Sequence, residues 1–211
     1  PWRMAASVLH ALGRADEIEP RLGPVVGEGM AAGVRQMLDK HLNCPLTSSA
    51  GRWFDAAAAA LGLCYSQEDE AQAAIALEQA AARALLLQPD LPALSGAVLC
   101  SNGIIDLRLL LAQLFDAADI DAAAAGFHLA LADALASALI NAAAQRQTRS
   151  AALGGGCFFN RILRERLIQR LTAAGLAVYL PGPQGCGDAG LAIGQAWVAA
   201  QQLAAPAREN V

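Results

Sequence analysis

Aromatic residues are scarce in this chain, at 5% of 211 residues, although apolar residues make up 55%. Much of the apolar content is alanine, and runs such as 56–60 and 122–125 favour helices that pack closely. No apolar stretch runs unbroken for the length of a bilayer; Asp, Gln, His or Gly interrupts each, so no membrane helix is expected. The start, PWRMAASVLHALGR, has an early Arg but no sustained apolar core or cleavage pattern, and no signal peptide is expected. Pro1 as the first residue reads as the start of a piece of a longer protein. Five cysteines (44, 64, 100, 157 and 186) are an odd number without close pairs, which fits neither a disulfide framework nor a CxxC zinc site. A reducing, cytoplasmic setting follows as the default. An excess of basic charge is missing too: 15 basic against 19 acidic groups give a net charge of −4, which argues against a nucleic-acid partner. Arg161, Arg164, Arg166 and Arg170 do cluster, but among Leu and Ile they read as the solvated side of one helix. The three histidines, His10, His41 and His128, show no metal-ligand spacing.

What the chain does contain is concentrated in residues 150–197. A short apolar run, 151–153, reads as a buried strand and ends in Gly154, Gly155 and Gly156. A helical pattern follows through Phe158, Ile162, Leu163, Leu167, Ile168 and Leu171 until Gly175, and 176–180 reads as a second strand before Pro181-Gly182-Pro183. A glycine turn at a helix N-terminus can offer backbone N–H groups to an anion, or can merely permit close strand–helix packing. Asp188, in Gly187-Asp188-Ala189-Gly190, opens the last helix and either caps it or holds a metal.

Upstream the pattern is mostly helical. Helices are expected over 2–12, 28–41 and 51–61, with a loop over 19–24 marked by Pro20 and Pro24. In Thr47-Ser48-Ser49-Ala50-Gly51-Arg52, Ser48 or Ser49 serves as an N-cap, or the segment is a hydroxyl-rich edge with Arg52 facing a phosphate or carboxylate. Asp55 is a solvated position or a ribose-hydroxyl acceptor. A long helix is expected from 67–70 to about 87, carrying Glu78. Asn102-Gly103 signals a hairpin within 95–106, followed by a helix over 107–114. Phe127-His128 opens another apolar helix through Ile140, and the tail beyond Gln201, with Pro206, is expected to fray.

Four blocks, in order, carry a resemblance. LGGGCFFNRIL followed by GDAGLAIGQAW, the opening PWRMA, TSSAGRWFDA and QAAIALE together resemble the C-terminal part of HypF-type carbamoyltransferases, over nearly the whole chain. The resemblance implies a helix-rich α/β lobe of the actin-like ATPase (RNase-H-like) type. Residues 1–46 would form a helical lead-in, 47–148 a mostly helical segment, and 149–204 a strand–glycine turn–helix–strand–helix segment for nucleotide and metal. It implies Arg52 and His128 as catalytic residues, and Asp55, Glu70, Gly155, Gly156 and Asn160 as contacts to ATP or carbamoyl adenylate. Asp188 is implied as ligand to a divalent metal (Mg, or Fe or Zn). The family's domains that use carbamoyl phosphate and ATP, its other lobe and its histidine metal ligands are absent from these residues. The implied acceptor is the C-terminal cysteine of a HypE-like protein, whose thiocarboxamide becomes the cyanide ligand of nickel–iron hydrogenase. Two departures stand out: Ala71 where the family has glycine after Glu70, and Asp188-Ala189-Gly190 for Asp-Gly-Gly. The alternatives are a relative of the tRNA threonylcarbamoyl transferases, and a helical interaction module whose glycines are purely structural. Phe54-Asp55-Ala56 in place of Phe-Asp-Lys, and the lack of Pro-Gly-Gly, count against the first.

Overall fold

The computed structural model describes residues 1–182 and 187–204. Cys186, Pro183 and the tail with Pro206 lie outside the described residues. Among the described residues nine helices dominate: α1 (Trp2–Ala11), α2 (Ile18–Val26), α3 (Glu28–Asp39), α4 (Ala50–Ala60), α5 (Gln72–Leu87), α6 (Arg108–Leu114), α7 (Ile120–Gln145), α8 (Arg161–Ala173) and α9 (Leu191–Ala204). The strands are short. β1 (Val98–Leu99) and β2 (Ile105–Asp106) pair antiparallel through the Asn102-Gly103 turn, where the Cys100 N–H donates to the Ile104 carbonyl at 2.8 Å. β3 (Ser150–Ala152) and β4 (Ala177–Tyr179) pair in parallel, with Ala151 opposite Val178, and α8 makes the crossover between them.

α7 is the axis of the chain. Asp119 caps it, its carboxylate accepting from the Ala122 N–H at 2.9 Å. Over Ala123–Ala132 the helix is buried on every side. Its methyl groups let α5 approach through Ala73, Leu77, Ala80, Ala81 and Ala84, all buried. Further along, Ala136 and Ala143 join a second cluster with Leu153, Leu167, Leu171 and Leu176 beneath β3 and β4. Ion pairs fix the register of these helices. Arg83 of α5 binds Asp121 at 2.6 and 2.8 Å, and Arg166 of α8 binds Asp133 at 2.9 and 3.0 Å. Arg170 reaches the same Asp133 at 3.2 Å, so two of the four clustered arginines tie α8 to α7 rather than only solvating one face.

Several sequence expectations need correction. α7 is long and apolar enough to cross a membrane, but 61% of its most apolar stretch is buried inside the protein, which identifies it as a core helix. α7 also begins seven residues before Phe127. The loop expected over 19–24 is helix α2. Pro20 stands in its first turn, where its missing N–H has no intrahelical partner to lose, and Pro24 costs one interior hydrogen bond. α5 starts at Gln72, later than expected, because Ala71 ahead of it is left-handed, at φ 59°. Ser49 does occupy the N-cap of α4, but its side chain makes no cap hydrogen bond.

The loop between α5 and β1 is held against α6 at Gly96, which has φ +96° and where an added Cβ would lie 2.8 Å from the Leu109 and Leu110 backbone. Gly96→Ala combines left-handed strain with a backbone clash. It should lower unfolding free energy by about 2–4 kcal/mol, read as a reduced urea midpoint with unchanged slope.

Candidate functional site

Three segments far apart in sequence meet at one groove of about 660 Å³. The start of α4 brings Ser49, Arg52 and Asp55; the approach to α5 brings Gln67 and Glu70, and the second turn of α5 brings Glu78; the turn after β3 brings Gly156, Cys157 and Asn160. Asp55 is buried at 7% exposure, and both its oxygens are used. Oδ2 accepts from Arg52 Nη1 and Oδ1 from Gln67 Nε2, each at 3.1 Å. Arg52, otherwise exposed, is thereby tethered at the rim. Gln67 works in two directions: its Oε1 accepts from the Ala73 N–H at 3.2 Å, joining the start of α5 to Asp55. Glu70 is exposed on the lip.

The opposite wall is the start of α8. A 3-10 turn, Gly156–Phe159, separates the glycines from this helix, so the glycine run is not itself the helix N-terminus as the sequence suggested. Asn160 is the N-cap: its Oδ1 accepts from the Leu163 N–H at 2.9 Å. The Arg161 N–H is taken by Glu78 Oε1 at 2.6 Å. This helix end is therefore already satisfied by two side chains of the protein, one of them a carboxylate. The sequence left Gln67 without a role and gave Glu78 only a place on the long helix, because capping of another helix by a distant side chain leaves no local pattern.

Gly154, Gly155 and Gly156 are bare. An added Cβ on any of them would meet no heavy atom within 4 Å among the described residues, so close strand–helix packing does not explain the run. Only Gly155, at φ +107°, requires glycine for its backbone. Gly155 and Gly156 also line a second cavity of about 740 Å³ with Asp188, Gly190 and one face of α9. Gly156 borders both cavities. Asp188 is exposed, and no cluster of three His, Cys, Asp or Glu side chains exists among the described residues. One carboxylate does not build a metal centre in this chain, although it can supply one oxygen ligand to a site completed from elsewhere.

His128, expected at the catalytic centre, belongs to the packed core and does not line the groove. It is fully buried between Phe54 and Phe127, whose ring centroids lie 5.4 and 5.9 Å away. Both ring nitrogens are engaged: Nδ1 lies 2.7 Å from the Ala124 carbonyl oxygen and Nε2 2.9 Å from Asn160 Nδ2. Burial pushes its pKa down to about 4, keeping the ring neutral. Of the expected site residues, Arg52, Asp55, Glu70, Gly156 and Asn160 share the first groove, Gly155, Gly156 and Asp188 share the second cavity, and His128 lies in neither.

Short strands, Ala-rich helices and a glycine turn beside a polar groove make a helix-rich α/β lobe, and its match to HypF's Kae1-like domain makes that lobe one of the actin-like ATPase type. Residues 1–195 match the family described as "Carbamoyltransferase, Kae1-like Domain, second subdomain". The chain belongs to the HypF carbamoyltransferase family, as the second subdomain of its Kae1-like domain. It is 52% identical over 208 residues to a carbamoyltransferase HypF homologue of Cupriavidus necator, covering 96% of this chain and 53% of the relative. With carbamoyltransferase HypF2 of the same organism it shares 37% identity, over 96% of this chain and 28% of that protein. A crystal structure of full-length HypF in its phosphate- and nucleotide-bound form superposes with a TM-score of 0.80 at 25% identity, over 98% of this chain and 27% of that one. The chain thus spans between about a quarter and about half of the length of these relatives.

Two measurements follow from the geometry. His128 binds its proton more weakly folded than unfolded, so the unfolded state takes up more protons between pH 6.5 and about 4. Stability should be full above pH 6.5 and fall by about 1.4 kcal/mol per pH unit on acidification through that window. This component should vanish in His128→Gln, as read by urea denaturation at stepped pH. At Ala71, φ 59° is strained for an L-residue; Ala71→Gly should raise unfolding free energy by about 0.5–1 kcal/mol, seen as a higher melting temperature.

Proposed function

We propose that this chain forms one wall of the nucleotide cleft of a HypF-type carbamoyltransferase. The observation that carries this reading is the convergence of Arg52, Asp55, Glu70 and Asn160 on one groove that meets the bare Gly155-Gly156 turn. Family membership and the likeness to a nucleotide-bound full-length HypF support it.

On this reading the chemistry divides along the groove. Carboxylates accept hydrogen bonds from neutral hydroxyl or amino groups and repel phosphate, so Asp55 and Glu70, with Glu78 beside them, suit the ribose of an adenylate. Asn160 lies on the opposite wall, at the start of α8. Arg52, at the rim, is the cation placed to meet an approaching phosphate or carboxylate. Among the described residues the N–H groups of Gly155 and Gly156 have no partner, and they can face the phosphate or the carbamoyl oxygen. Asp188 is the residue that would hold a divalent cation, whose chemistry is to offset phosphate charge.

The reaction assigned to the complete enzyme is carbamoyl transfer from carbamoyl adenylate to the C-terminal cysteine of a HypE-like acceptor. The thiolate forms a C–S bond to the carbamoyl carbon, the bond from that carbon to the phosphate oxygen breaks, and AMP leaves with the electron pair. Enclosing the groove against water protects the carbamoyl group from hydrolysis. Carbamoyl phosphate and ATP would be processed by other domains of the longer protein, and this lobe alone would show little or no turnover.

Calorimetric titration of ATP and AMP with Mg²⁺ tests the cleft. It is run on this chain and on this chain joined to the first subdomain of the Cupriavidus necator homologue. Binding is expected in the joined form and should weaken about tenfold in Glu70→Ala, an exposed change that leaves the fold alone. Binding by neither form, or binding indifferent to both Glu70→Ala and Arg52→Ala, would sink the assignment.

A further inference from the structure

Beneath the groove runs a line of hydrogen bonds whose direction is fixed at both ends. The Ala124 carbonyl can only accept, so His128 Nδ1 carries the proton at their 2.7 Å contact. In the neutral ring Nε2 is then the acceptor, and the atom 2.9 Å away must be the amide nitrogen of Asn160. At the other end the Leu163 N–H can only donate, and it meets Asn160 Oδ1 at 2.9 Å. The two backbone groups demand the same orientation of the amide, so a flip of Asn160 would break both contacts at once. His128 has no freedom of its own, because Phe54 and Phe127 pack against its ring and it is fully buried.

We infer that His128 is a positioning residue: it locks the Asn160 amide, leaving one Nδ2–H and one Oδ1 lone pair in fixed places for a ligand in the groove. This rests on the nucleotide reading for what the ligand is, but not for the lock itself. Its contribution is pre-organisation, since a ligand meeting a free amide would have to order it on binding. The same arrangement seats α8, because the locked oxygen is the helix cap.

Two variants separate positioning from mere stability. His128→Gln keeps an acceptor near the place of Nε2 and loses the donor to Ala124. His128→Asn keeps a donor near Nδ1 and loses the reach to Asn160. Each forfeits one buried hydrogen bond, so both should lower the melting temperature to a similar extent. In the 211-residue chain, the Asn160 side-chain NH₂ should show one strongly shifted proton that exchanges slowly with solvent in the wild type and His128→Gln, and ordinary free-amide shifts with fast solvent exchange in His128→Asn. In the form joined to the first subdomain, AMP, the probe ligand, should bind His128→Gln within about threefold of wild type and His128→Asn at least about tenfold more weakly. An unchanged Asn160 NH₂ signal in His128→Asn, or equal affinity losses that track melting temperature in both variants, would overturn the inference. If neither variant folds, the ¹⁵N ring shifts of wild-type His128 decide: an Nδ1–H tautomer supports the lock and an Nε2–H tautomer refutes it. Failure of the wild-type joined form to bind AMP counts against the nucleotide reading, and the amide and tautomer signals then judge the lock by themselves.

Discussion

The first turn of α8 is where the structure is decided. A helix start leaves backbone N–H groups that need partners, and here one comes from the helix's own N-cap and one from another helix. Asn160 caps the helix from within, Glu78 reaches across from α5 to the Arg161 N–H, and His128 of α7 holds Asn160. Three helices are thus referred to one point, and that point borders the groove. Misplacing α8 would unpair the buried His128 and Asn160 and release Glu78 of α5 at the same time, a larger penalty than slippage between alanine faces would bring.

The same point sets the electrostatics of the site. With a carboxylate already at the α8 N-terminus, the helix dipole is answered by the protein and is no longer a vacancy for a phosphate. Asp55, Glu70 and Glu78 make the inner groove rich in acceptors, while Arg52 and the bare glycine turn stand at its edges. Neutral, hydroxyl-bearing groups are favoured inside, and anionic groups at the margin.

Much of this was legible in the sequence, and the reasons for the rest are specific. Asn102-Gly103 and Gly175 marked turns because their backbone conformations are rare for other residues, and both strands flanking α8 were found from that punctuation. α2 was hidden because two prolines usually end a helix, yet Pro20 falls where no intrahelical bond is lost. The groove residues Arg52, Asp55, Glu70 and Asn160 were found through the ordered family blocks, since nothing in their spacing announces that they meet. His128 could not be placed correctly: its partners are a carbonyl one turn back and a side chain 32 residues away, and only the fold shows that both ring nitrogens are spent. Ala71 shows the reverse case. The sequence identified the departure from glycine, but the left-handed backbone that makes it matter is a tertiary result.

α7 belongs to both apolar clusters, its first half among α1, α4 and α5 and its second half under β3 and β4. A continuous 26-residue helix cannot surrender one half without fraying the turns that anchor the other. The two clusters are therefore mechanically in series. The lobe should behave as one cooperative unit, and damage at the β3–β4 end should be felt at the distant α1–α4 contact as lost protection of its amides.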